Sequence, residues 1–226
     1  VFDNINGTVT PTAAASQTII TLEGCSSISD PNGNLKFYTD GRDVWDANHN
    51  IMPNANYFAG TGLLGDPSST SSGVIIPKPG DLDKYYIFTV DEPHHQNAWA
   101  FPNQGPAEIN GNPTEEYSDS FTSTSVPGGD DGYNNGLNYS LVDMTLNNGM
   151  GDIDSSKKNI QLQTYDPLIQ EHLEYKCSEK ITAVEHTDGQ SYWVLTQFVD
   201  TFYAFRIDSN GVNHTPVTST VTPSIN

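Results

Sequence analysis

The chain has 226 residues, with 28 acidic side chains against nine basic ones, a formal charge of −19 and 35% hydrophobic content. Its three Trp, eleven Tyr and nine Phe give enough apolar material for one sizeable core, which excludes a disordered composition. The charge excludes a protein that grips a nucleic-acid backbone, which needs Lys and Arg to displace counterions. No apolar run reaches the roughly 18 residues of a membrane span, so no membrane insertion is expected.

Val1 reads as a mature or trimmed start, because no basic, apolar, small-residue leader opens the chain. Short strands follow: "QTIITLEG", "NLKFYTD", "GVIIPK", "KYYIFTVDE", "NYSLVDMTL", "KITAVEH", "SYWVLTQF" and "TFYAFRID" are rich in β-branched and aromatic residues. Several are joined by Asn-Gly or Asp-Gly, which tolerate the positive φ of tight hairpins. Helical periodicity is nearly absent. The best candidate, Asp166 to Tyr175, reads as a short helix or a loop turn, with Pro167 following an Asp cap. The expected fold class is therefore all-β, in a single domain over residues 1–226.

The strands recur in a pattern. Phe37-Tyr38, Tyr86-Ile87-Phe88 and Tyr192-Trp193-Val194 fall on equivalent strands. The next strand in each unit ends in aspartate before a polar turn: Val44-Trp45-Asp46, Leu141-Val142-Asp143 and Arg206-Ile207-Asp208. Asp46, Asp143 and Asp208 read as turn caps, since Asx side chains bond their own backbone two residues on. The first two units begin about 45 to 50 residues apart, the period of propeller blades.

The expected architecture is thus about three propeller-like blades. Closed propellers use about four to eight, and three blades leave open strand edges that invite pairing with another chain or with the rest of a longer polypeptide. The tail "TPVTSTVTPSIN" reads as a further strand cut short or as a linker. Residues 92–136, rich in Pro and Gly and without periodicity, read as a long surface loop inserted in this pattern.

Candidate chemistry sits in turns and in that loop. Asp30, Asn32 and Asn34 alternate like the first ligands of a calcium loop, and Asp130 with Asp131 offers adjacent carboxylates. The EF-hand pattern fails at Leu35 and Gly41, where glycine and an acid are required, and "DPNGN" also suits an ion-free hairpin. Calcium is the only cofactor the sequence suggests. The loop aromatics Trp99, Phe101, Tyr117, Phe121 and Tyr133 suit stacking on a glycan, contact with a protein, or cover for a blade edge.

His94-His95, His49, His172 and His186 lack zinc-site spacing. Nucleophile-elbow and HExxH motifs are missing from the sequence. Cys25 and Cys177 lie far apart; a disulfide and a pair of free thiols both fit. Three sequons occur, at Asn6, Asn138 and Asn213.

The segments "EGCSSISDPNGNLKFYTDGRDVWDANHNIMPN", "GLLGDPSSTSSGVIIPKPGDLDKYYIFTVD", "GLNYSLVDMTLNNGMGDI" and "EKITAVEHTDGQSYWVLTQ" resemble the N-terminal region of large secreted proteins of Bacteroidetes. Those proteins often carry PKD-type repeats and end in a gliding-motility-associated, type IX secretion sorting domain. The resemblance runs from about Leu22 to Val212 and includes Glu23, Gly24, Cys25, Tyr38, Asp40, Gly41, Lys180 and His186. It implies a propeller-type β region on a cell-surface or released protein, and it implies no catalytic residues. The expected function is a non-enzymatic structural or adhesive module that assembles with other subunits or domains. The alternative is a carbohydrate-binding or carbohydrate-active propeller-type module with surface glycans as partners.

Overall fold

The computed structural model describes residues 2–5, 8–11, 19, 21, 23–71, 73–91, 135–169, 172 and 176–222. These residues form an all-β chain. A two-stranded ribbon pairs β1 (Phe2–Ile5) with β2 (Thr8–Pro11), and three larger antiparallel sheets follow in chain order.

The first sheet is the meander β3 (Ser26–Ser29), β4 (Leu35–Thr39) and β5 (Val44–Asp46). Of the run "QTIITLEG" expected as a strand, the described residues Ile19, Thr21, Glu23 and Gly24 are not in one, and β3 begins only at Ser26. The second sheet joins β6 (Val74–Pro77), β7 (Lys84–Val90) and β8 (Leu137–Asp143), then β9 (Asp152–Ile153) and β10 (Ile160–Leu162). The third joins β11 (Ile181–Glu185), β12 (Tyr192–Phe198) and β13 (Thr201–Asp208), then β14 (Gly211–Val212) and β15 (Val217–Thr220).

The second and third sheets break their outermost strand in the same way. β9 pairs with the end of β8 while β10 pairs with its beginning. Likewise, β14 pairs with the end of β13 and β15 with its beginning. The first sheet keeps only the start of this pattern, a single bridge from Trp45 to Ile51. The tail strand β15 therefore completes the third sheet and does not open another.

Register explains the long insertion. Val90 pairs with Leu137, so the sequence between them leaves and re-enters the second sheet as the connection of one hairpin. Residues 92–134 lie outside the described residues.

The second sheet is central. β7 and β8 are buried along nearly their whole length, as expected for strands covered on both faces. On one face Tyr85, Ile87 and Val142 pack with Phe37, Val44, Met52 and Leu63. On the other, Tyr86, Phe88, Tyr139 and Leu141 pack with Ile181, Val194, Phe205 and Ile207. Each such side chain contributes about 2 kcal/mol on leaving water. The first strands carry the stack, since β6 touches both β3 and β11. No sheet closes on itself, and the described residues do not complete a propeller.

The predicted helix at 166–175 begins as a capped turn: Leu168 N–H donates to Asp166 Oδ1 at 2.9 Å. Most of its remainder lies outside the described residues.

Candidate functional site

Aspartate and asparagine dominate the turns, and hydrogen bonding shows what most of those carboxylates do. The residue two positions on donates its amide to Asp30, Asp46, Asp66, Asp81, Asp143, Asp154, Asp188 and Asp208. Each is an Asx turn. The three strand-ending aspartates, Asp46, Asp143 and Asp208, cap their turns as the sequence suggests.

Asp30 also accepts the Asn34 amide at 2.8 Å and the Asn34 side chain at 2.9 Å. These bonds hold its carboxyl below the usual range, the Asn34 side-chain bond being the largest cause. The turn is thus closed by protein donors, and Asn32 contributes its backbone. Among the described residues, no three His, Cys, Asp or Glu side chains converge as a metal site. Asp130, Asp131, Trp99, Phe101, Tyr117, Phe121 and Tyr133 lie outside the described residues, as do His94 and His95.

The remaining sequence candidates are scattered. His49 Nδ1 lies 3.1 Å from the Tyr38 hydroxyl. His186 Nδ1 lies 3.0 Å from Asp188 Oδ2. The His172 ring meets Phe198 edge-on. Cys25 is exposed, Cys177 is buried in the core between the second and third sheets, and the two thiols are not bonded. Asn138 is buried on β8, its side-chain amide donating to the Asn135 carbonyl at 3.0 Å, which removes it as a glycosylation site.

One cluster differs in kind, at the tip of the β4–β5 hairpin. Thr39 Oγ1 donates to the Asp43 carbonyl at 2.6 Å and accepts the Gly41 amide at 3.0 Å. Asp40 Oδ1 accepts the amides of Arg42 and Asp43 at 2.9 and 2.8 Å. Asp43 Oδ1 in turn accepts the Tyr57 amide at 2.7 Å, and the Arg42 guanidinium lies 4.3 Å from the Tyr57 ring centre, a cation–π contact.

Asp40 is fully buried, and its Oδ2 makes no hydrogen bond among the described residues. Burial pushes its carboxyl up to about 6, against the two amide bonds that favour the charged form. Arg42 and Tyr57 line a small cavity with Leu63, Gly65, Asp66, Asp91 and Asn135. Its roughly 20 Å³ is room for about one water. The cluster locks the hairpin tip against the following segment through the Asp43–Tyr57 bond and the Arg42–Tyr57 contact.

Sequence reasoning missed this site because Asp40 is indistinguishable in sequence from its turn-capping neighbours. The nearby glycines were the available signal. A Cβ at Gly73 would meet Thr39 Cγ2 at 2.7 Å, so close backbone approach is what buries the tip.

No protein-family model, curated protein or solved structure matches this chain.

Proposed function

We propose that the protein is an extracellular structural or adhesive module of a bacterial cell-surface or secreted protein. Its three sheets act as consecutive blades of a propeller-like array that assembles with other subunits or domains through open strand edges. The observation that carries this reading is the repeated sheet. Antiparallel meanders follow in chain order, β6 touches both β3 and β11, and two of the sheets share the same broken outer strand. Turns closed by Asx bonds and a charge of −19 suit a solvated surface, and the resemblance to secreted Bacteroidetes proteins supports the location.

β15 is the edge to test, with all four residues exposed. Val221 N–H donates to the Asp200 carbonyl, so by antiparallel alternation Thr218 and Thr220 turn their amides away from β13. Thr218→Pro therefore removes an outward donor while sparing the ladder. The size of assemblies formed by the purified chain should collapse in Thr218→Pro and persist in the turn variant Asn210→Ala. A proline variant that assembles like its parent sinks the edge-pairing mode.

A further inference from the structure

The third sheet repeats the second in strand order, yet its outward face has a different fate. Towards the second sheet it buries Val194, Phe205 and Ile207. The alternate residues point away. Register sets Val184 opposite Trp193, Leu195 opposite Ala204, Ala204 opposite Val217 and Gln197 opposite Phe202, so these residues form one continuous outward face. Val184 is 53% exposed, Phe202 39% and Val217 63%.

The corresponding surface of the second sheet, including Tyr86, Phe88 and Leu141, is fully covered by the sheet that follows it. The third sheet thus continues the stack with an apolar face of the kind the fold elsewhere buries under another sheet.

Charge narrows the occupant. On this face the Arg206 guanidinium is paired with the Asp188 carboxylate, with Nη2 to Oδ2 at 3.0 Å, so that their charges offset each other. In a chain of charge −19, a neutral apolar face is where two like-charged copies meet with least repulsion. The first sheet supplies no mate for it. On that sheet's outer side Trp45 is only 4% exposed, and the Tyr38 ring stacks on it with planes 8° apart.

We propose that the outer face of the third sheet is a homodimer interface. Two copies stack this face on itself about a twofold axis, in an isologous contact centred on Phe202 and Leu195. This contact is distinct from edge pairing, since it uses side chains across the sheet and not the free amides of β15.

The test is sedimentation velocity of Thr218→Pro, which removes the edge contact, from micromolar to sub-millimolar concentration. That chain should shift from monomer to dimer, and added salt should favour the dimer by screening the like charges. Val184→Glu and Phe202→Glu, added to it separately at exposed positions, should each restore the monomer at every concentration. Ile51→Glu, on the first sheet, should leave the dimer intact. Near-UV circular dichroism identifies any variant that has lost its fold, and the other face variant then decides. A chain monomeric throughout the range, or a dimer that survives both face substitutions, overturns the proposal.

Discussion

A Cβ added to Gly65 would lie 2.6 Å from the carbonyl oxygen of Gly41 and 2.9 Å from Thr89 Cβ. The first sheet's hairpin tip is thus pressed against the second sheet through a point where no side chain fits. Neither neighbour is the flexible end of a side chain, so backbone must shift to admit even a methyl group. Gly65→Ala should cost about 1–3 kcal/mol, read as a lower midpoint in denaturant at unchanged slope. A variant as stable as the parent would show that the tip is not packed in this way.

The connection between the first and second sheets is fastened by Asn54 and Asp152. Asp152 Oδ1 accepts the Asn54 backbone amide and Oδ2 accepts its side-chain amide, both at 2.9 Å. Asp152 is buried, so removing it leaves Asn54 donors without their acceptor. Asp152→Ala should destabilise by about 1–3 kcal/mol. Asn54→Ala, which keeps the backbone donor, should cost less, and the double variant should cost less than the sum of the singles. Strictly additive losses would mean that the pair does not couple.

How much of this was legible depended on whether the deciding neighbour lay close in sequence. The runs "KYYIFTV" and "LNYSLVD" read as strands from their β-branched and aromatic residues, and β7 and β8 form there. Asp46, Asp143 and Asp208 cap turns two residues ahead, a purely local relationship. By contrast, β10 is three residues long and exists because it finds the far end of β8. β15 reads "VTST", without an apolar stripe, and becomes a strand only against β13. The sequence of Asp40 likewise says nothing of its burial, because the segment that covers it arrives through Gly65 and Gly73. The repetition of strands was visible in the aromatic strand and the aspartate-ended strand of each unit, which are β4 and β5, β7 and β8, and β12 and β13, whereas the closure of a propeller depends on contacts that no single unit encodes.

The thiols give a direct check on the core between the second and third sheets. Cys25 is exposed and Cys177 buried, and burial pushes the Cys177 thiol up, away from the reactive thiolate. Under native conditions a thiol reagent should titrate Cys25 quickly and Cys177 only at the rate of unfolding. Both should react in denaturant without prior reduction. A chain in which neither reacts until a reductant is added would contain the disulfide and contradict this arrangement.

Stability should depend on pH through two opposed sets of aspartates. Burial raises the Asp40 carboxyl from 3.8 to about 6 in the folded chain, so between those values the folded state binds more protons than the unfolded one. Its charged form therefore costs stability above about pH 6. That cost is on the order of 3 kcal/mol, and it is relieved as pH falls towards 3.8. Asp188 runs the other way. The Gln190 amide, the largest cause, together with Ser191 and His186, lowers its carboxyl from 3.8 to about 2. Its contribution is present above 3.8 and lost as pH falls towards 2. The melting temperature should accordingly rise on mild acidification and fall on stronger acidification. Asp40→Asn keeps an oxygen for the Arg42 and Asp43 amides but removes the charge. It should melt above the parent at neutral pH and converge with it near pH ~4. Parallel curves for the two chains across that window would mean that Asp40 is already neutral, or already solvated, in the folded protein.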